Sequence, residues 1–243
     1  MSSSKKESFA FFKSLIALLL IILCLWAAQW QYHRGVDRHQ RNNQIESRSE
    51  LPAVSISDAV NDAPAFEWRK VSAQGEFDSS RQILLRNRYF EGKYGFEVLT
   101  AFKDSSGIEY WVDRGWVQAG KSATIAPELP ALPTGEVKIE GRVRLDRSLP
   151  QGKFFAIPTG SKGGLISEAN AQASNADIGI DSTFYLDLIG GDRPELKPEV
   201  PASLPELSDG PHFAYALQWV IFAGLVLYGR FLIRREVLTR EEL

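Results

Sequence analysis

The chain has 243 residues, with 28 basic and 30 acidic side chains and a formal net charge of −2. That balance gives no reason to expect nucleic-acid binding, which normally shows a basic surplus. The single cysteine, Cys24, lies inside an apolar run, so an intrachain disulfide framework is excluded.

Residues 1–13 are a short polar start carrying Lys5, Lys6 and Lys13. Ser14 to Trp30 is apolar almost throughout. At about 17 residues it is at the low end for a membrane-spanning helix. It lengthens if Phe9–Phe12 contribute and Lys13 snorkels to the interface. A cleaved signal peptide competes with this reading. The basic start fits one, but around Ala27-Ala28 the small residue expected upstream of a cleavage site is Leu25 or Trp26. An uncleaved anchor over residues 14–33 is therefore expected. Beyond it lie Trp30-Gln31-Tyr32-His33-Arg34 and then Arg38, His39 and Arg41, a basic segment that extends the helix and suits lipid headgroups.

Residues 34–211 read as one β-rich ectodomain with linkers. With two spans set aside, about 175 residues remain, enough for one core. A short helix or turn is predicted at Asp58–Asn61. Strands are predicted at Trp68–Phe77, Gln82–Arg88, Phe96–Phe102, Glu109–Val117, Val137–Leu145 and Phe184–Ile189. Asp104-Ser105-Ser106-Gly107 predicts a hairpin, and Gly164–Ala173 a helix. Residues 190–211 are rich in Pro, Gly and Glu and read as a linker.

Between Gln40 and Pro211 there is no histidine and no cysteine. Ser-His-Asp and Cys-His catalysis are thus excluded within the ectodomain, as are the usual His/Cys zinc sites. Carboxylate chemistry or a Ser/Lys dyad such as one using Ser161 and Lys162 stays open. Gly160–Gly164 is Gly-rich but lacks phosphate-loop spacing, and reads as a turn. Trp111–Val117 alternates along a strand, with Trp111, Asp113, Gly115 and Val117 on one face and Val112, Arg114 and Trp116 on the other. A core strand is the expected reading there.

The second apolar run follows, with a span over residues 212–233. At its start His212, Tyr215, Ala216 and Trp219 are spaced to share one helical face. Aromatic rings also gather at membrane interfaces because they are amphipathic, and a His at a helix start is commonly a solvated end residue. Arg230, Arg234, Arg235 and Arg240 place residues 234–243 in the cytoplasm by the positive-inside rule. Two spans then put residues 1–13 there as well.

Taken in order, these pieces resemble the Surfeit locus protein 1 family of cytochrome c oxidase assembly factors. Trp30-Gln31-x-x-Arg34 resembles the motif after its first span. Gly75-x-Phe77 and Gly92-x-x-Gly95 are similar to its early domain motifs. Val112-Asp113-Arg114-Gly115-Trp116-Val117 looks like its Val-Asn-Arg-Gly-Trp-Val signature, and Gly141-x-Val143-Arg144 like the strand that follows. His212-Phe213-x-Tyr215-Ala216-Leu217-x-Trp219 is similar to the family's His-Leu-x-Tyr-Ala-x-x-Trp. Two departures stand out. Asp113 replaces the usual Asn, and Gly210-Pro211 precedes His212 where the family typically has Asn.

The resemblance implies two transmembrane α-helices flanking an α+β, mainly antiparallel β ectodomain, in a bacterial inner membrane with the ectodomain periplasmic. It implies a non-enzymatic assembly factor for heme-copper oxidase that binds heme a and delivers it to subunit I, with heme A synthase and the lipid bilayer as further partners. By the same resemblance His212 is the expected ligand of the heme iron. A neutral imidazole is a common axial ligand. Trp30, Tyr215 and Trp219 are expected to flank the macrocycle, and Arg34 to pair with a propionate. Two other readings stay beside this one. One is a heme-free membrane scaffold for oxidase subunits; the other is a membrane-anchored periplasmic hydrolase.

Overall fold

The computed structural model describes residues 9–120, 127–145, 156–158 and 183–239. The predicted helix at Gly164–Ala173 and the Ser161-Lys162 pair lie outside the described residues. The chain separates into two compact units: one from the chain up to Gln44 and from Glu206 onward, the other Ile45–Pro205.

The first unit is built on two helices. α1 (Ala10–Glu50) has 41 residues, about 60 Å of helix at its usual rise. The apolar run forms its first half. The segment from Trp30 to Arg41 continues the same helix without a break, because no Pro and only Gly35 interrupts a run of good helix formers. At the other end of the chain, Gly210 adopts φ +67°, a conformation natural to glycine. Proline follows, and its carbonyl accepts the first helical bond, from Tyr215 N at 3.0 Å. Both α1 and the C-terminal helix that starts at His212 are long and apolar enough to cross a membrane.

The second unit is mostly strand. β1 (Val54–Ser55) leads into α2 (Ile56–Val60), where the Ser55 side chain accepts from Ser57 N. α3 (Ala63–Phe66) is capped by Asp62, which accepts from Ala65 N; short polar side chains at this position satisfy the free N–H groups of a helix start. Then come β2 (Lys70–Phe90), β3 (Lys93–Asp104), β4 (Glu109–Gln118), β5 (Val137–Leu145), β6 (Ala156–Pro158) and β7 (Phe184–Gly191), followed by a 3₁₀ turn at Pro194–Leu196. The order is β1-β2-β3-β4-β7-β5, and β2 also pairs with β5, so the sheet closes on itself like a barrel. Closure removes the open edges of the ring. The pairings within it are antiparallel except β4–β7; β1 joins β2 in parallel and β6 joins it antiparallel.

The two strands predicted at Trp68–Phe77 and Gln82–Arg88 are one bent strand. β3 pairs with both halves of β2 across a bulge between Asp78 and Gln82. Asp78 holds the bulge: its Oδ1 accepts from Ser80 N at 2.9 Å and its Oδ2 from Arg81 Nε at 2.7 Å. Bulges bend strands, which a closed sheet requires. Trp68 falls outside β2 because its backbone is left-handed, at φ +75°. The predicted hairpin between β3 and β4 is present. Asp104 Oδ1 accepts from Ser106 N and Ile108 N, both at 2.9 Å, and Gly107 supplies the φ of +88° that the turn needs.

An aromatic ladder crosses the core. Phe77, Phe102, Tyr110 and Phe184 stand on β2, β3, β4 and β7 with successive ring centroids 4.9, 5.7 and 5.3 Å apart. Cross-strand aromatic pairs of this kind add to the area they bury. Both faces of β4 are buried, Tyr110 and Val112 in one cluster and Trp111 in another. Arg114 is 5% exposed, and its Nη2 donates to the carbonyls of Pro130 and Ala131 at 2.9 and 2.8 Å. Trp116 Nε1 donates to Arg88 O at 3.3 Å. These bonds tie β4 to the backbone of the Pro130–Ala131 segment and of β2.

Charged groups share the face that carries Trp111. Asp187 lies 3.1 Å from Arg144 Nη1 and 3.7 Å from Arg142 Nη1. Glu97 pairs with Arg88 at 2.7 Å. The Arg144 guanidinium sits 4.0 Å from the centroid of the Trp68 ring. Burial raises the Asp187 carboxyl to about 6, against the pull of Arg144 and Arg142. Burial first, then the charges of Glu97 and Asp187, raises Asp113 well above the carboxylate range; its Oδ1 accepts from Gly115 N at 2.8 Å.

A carboxyl with a raised folded pKa binds its proton more tightly in the folded state, so its contribution to stability falls as pH rises through that range. For Asp187 the window runs from 3.8 to about 6. Asp113→Asn keeps the oxygen that accepts from Gly115 and removes the charge. It should raise the melting temperature by about 2–4 °C at pH 8, the shift that ~1 kcal/mol produces at this size. The gain should shrink at pH 5, because the cost of an ionised carboxyl at this buried position falls as pH drops. Melts at the two pH values check this; a lower melting temperature at both contradicts it.

Candidate functional site

The site lies in the first unit, where α1 and α4 (His212–Thr239) run antiparallel. The two helices turn residues toward each other at alternating steps of three and four. On α1 these are Cys24, Ala28, Gln31 and Gly35; on α4 they are His212, Ala216, Trp219, Ala223, Val226 and Arg230, every one buried or half-buried. This spacing is the heptad seam of a coiled coil. The seam is made largely of small residues, which let helix backbones come close. The outward faces, with Leu19, Leu23, Trp26, Leu217 and Leu225, are apolar and exposed.

Gly35 sets the approach. A Cβ built there would lie 2.9 Å from the Phe213 ring. Phe213 in turn meets Tyr32 edge to face at 5.9 Å between centroids. This contact brings the start of α4 against α1, so that His212 Nδ1 lies 2.9 Å from Gln31 Oε1. A carbonyl oxygen only accepts, so this contact is a hydrogen bond when Nδ1 carries the proton, the form that leaves the Nε2 lone pair free.

The chain is tied down on both sides of this pair. Arg38 Nε donates to Ser208 O at 2.5 Å. Asp209 takes His39 Nδ1 at 2.9 Å and Asn42 Nδ2 at 3.2 Å on its two oxygens. Toward the far end, Arg230 Nε donates to Ser14 Oγ at 3.0 Å. The sequence places Arg38 and His39 in a basic segment suited to lipid headgroups; in the structure they meet Ser208 and Asp209 instead, together with Asn42, and neither Asn42 nor Asp209 is marked out by the sequence reading. Asn42 continues the spacing of Cys24, Ala28, Gln31 and Gly35, and that periodicity was the available signal.

The site residues read from sequence fall into two groups. His212 and Trp219 lie on the seam, with the Trp219 ring edge to face against Phe222 at 5.7 Å. Tyr215 flanks that seam and is 46% exposed. Trp30 and Arg34 lie on the outer side of α1 and stack on each other, the guanidinium 5.6 Å from the indole centroid. The residue of this stretch that reaches His212 is Gln31. His33 is exposed on α1, its ring edge to face with Tyr32 at 6.1 Å; two residues on from Gln31, it points away from the seam.

Comparison with known proteins bears on this geometry. The family model described as the SURF1 family matches residues 18–224. Uncharacterized SURF1-like proteins of Mycobacterium bovis and of two Mycobacterium tuberculosis strains are 29% identical over 222 residues. The alignments cover 89% of this chain and 80% of theirs.

The seam makes a specific claim about Gly35 and Phe213. Gly35→Ala should displace the Phe213 ring and destabilise the helix pair. Adding Phe213→Ala should recover part of that loss, with a coupling of about 0.5–3 kcal/mol, as for residues in direct contact. A thermal-stability double-mutant cycle on the detergent-solubilised chain measures it; purely additive effects would contradict the contact.

Proposed function

Because the chain belongs to the SURF1 (Surfeit locus protein 1) family, we propose that it is a non-enzymatic assembly factor for an aa3-type heme-copper cytochrome c oxidase. In this reading it holds heme a as cargo and passes it to subunit I, with heme A synthase as the neighbouring source. The two apolar helices cross a bacterial inner membrane, both termini are cytoplasmic and the β-rich unit is periplasmic.

One observation carries the cargo reading: His212 stands at the head of a long apolar helix with Nδ1 engaged by Gln31 and Nε2 left as a free donor atom. A neutral imidazole in that state is the form that ligates heme iron. One such ligand suffices for an iron whose equatorial nitrogens arrive with its porphyrin. Heme a supplies, besides the iron, a long apolar tail and charged propionates. The exposed apolar rings of Phe213 and Tyr215 suit the macrocycle, and the lipid-facing surfaces suit the tail. Arg34, an exposed guanidinium stacked on Trp30, offers paired donors to a propionate.

The test is the pigment of the full chain purified from cells that make heme a. The wild-type protein should carry a heme a spectrum. His212→Ala should shift that spectrum while the protein still accumulates, because apolar contact retains part of the cargo after the axial bond is lost. A pigment-free wild-type protein would instead favour a scaffold that steadies oxidase subunits without heme.

The membrane arrangement has its own check. Reporter fusions at Gly120 should report the periplasm and fusions at Leu243 the cytoplasm. A cytoplasmic signal from Gly120 would overturn the topology.

A further inference from the structure

A neutral imidazole carries one proton on two nitrogens, and in water the proton favours Nε2. That leaves Nδ1, the nitrogen crowded by Cβ, as the donor atom. The contact at His212 favours the reverse order. Gln31 Oε1 lies 2.9 Å from Nδ1, an acceptor placed for an Nδ1 proton, and that tautomer makes Nε2, at the outer end of the ring, the donor atom.

The position of Gln31 is not left to its own flexibility. It stands on the seam of α1 between Ala28, which is buried, and Gly35, against which the Phe213 ring is seated. Its amide is half-buried, and the backbone of His212 is fixed by the Pro211 carbonyl that receives Tyr215 N. The acceptor and the ring are thus each held by a different helix, and the helix crossing aims one at the other.

We propose that Gln31 is the positioning residue of the His212 site: it sets the imidazole tautomer, aims Nε2, and tunes the ring as a ligand that can let go. The last clause rests on the cargo reading above; the tautomer does not. Partners on the remote nitrogen of a ligating histidine orient the ring and raise its basicity, carboxylates most strongly. An amide oxygen carries no charge, so it fixes the ring while leaving the iron–imidazole bond moderate. That is the requirement for a carrier, whose cargo must leave.

The test has two arms, both on the full chain in detergent. In the first, histidine-selective ¹⁵N NMR at pH 8 reads the tautomer without heme; the chain has three histidines, and His212→Ala identifies the signal. Wild type and Gln31→Glu should show Nδ1–H, while Gln31→Met should return to Nε2–H. In the second, hemin is titrated into each protein and its transfer to apomyoglobin timed. Gln31→Met should bind about 10–100-fold more weakly. Gln31→Glu should bind at least as tightly as wild type and transfer more slowly. A wild-type His212 in the Nε2–H form overturns the proposal, and the wild-type spectrum decides this even if a variant fails to fold. Gln31→Met with wild-type tautomer and affinity overturns it too. Hemin binding that is absent, or indifferent to His212→Ala, beside an Nδ1–H signal, sinks the cargo reading and the release role but leaves the tautomer assignment standing.

Discussion

The distance between α1 and α4 is set by residues with almost no side chain. Gly35 at one level and Ala28, Ala216 and Ala223 at others leave room for the helices to approach along a seam of period seven. In the membrane setting proposed above, lipid would give no hydrophobic drive to join two apolar helices, which leaves close packing and interhelical hydrogen bonds to do it. Both are present. The His212–Gln31 bond joins groups 181 positions apart in sequence, and Arg38, His39 and Asn42 fasten the segment just ahead of α4. The site has its geometry because of that approach.

The second unit meets a different constraint. Its sheet closes because β2 is long enough to pair with β5 along its first part, with β3 through its middle and end, and with β6 beside them. A closed sheet has an interior to fill, and the ladder from Phe77 to Phe184 fills much of one side. Asp187 is tucked in beside Arg142 and Arg144, and Asp113 near them is charged only at a cost. Buried pairs of this kind are weak sources of stability. Asp113 stands where the resemblance to the family leads one to expect Asn, and its Oδ1 accepts from Gly115 N as an Asn carbonyl would.

As a carrier, the protein would have to bind its cargo firmly enough to keep it and loosely enough to give it up. A histidine braced by a neutral amide sits between an unbraced ring and one backed by a carboxylate. The β-rich unit contributes no histidine or cysteine to this, since the chain has none between Gln40 and Pro211. In its Trp111–Val117 strand, Arg114 Nη2 and Trp116 Nε1 donate to backbone carbonyls.

Much was legible in the residues themselves. Unbroken apolar runs announce both helices, since composition alone decides whether a helix can be apolar all round. Alternation marks β5 at Val137–Leu145, because a strand's period is local, and β-branched and aromatic composition marks the cores of β3, β4 and β7, which are buried on both faces. Asp-Ser-Ser-Gly names its own turn through bonds that span four residues. The ordered motifs point to the family, and the family match followed. What the sequence could not supply was pairing between distant parts. The break expected between Phe77 and Gln82 became a bulge because β3 pairs across it, and a bulge exists only relative to a partner strand. Gln31 is visible in the sequence only as a member of the Trp30-Gln31-x-x-Arg34 motif, without a role of its own, because a hydrogen bond across 181 positions leaves no local trace. Helical spacing can say which residues share a face; only the packing of two helices decides what that face meets.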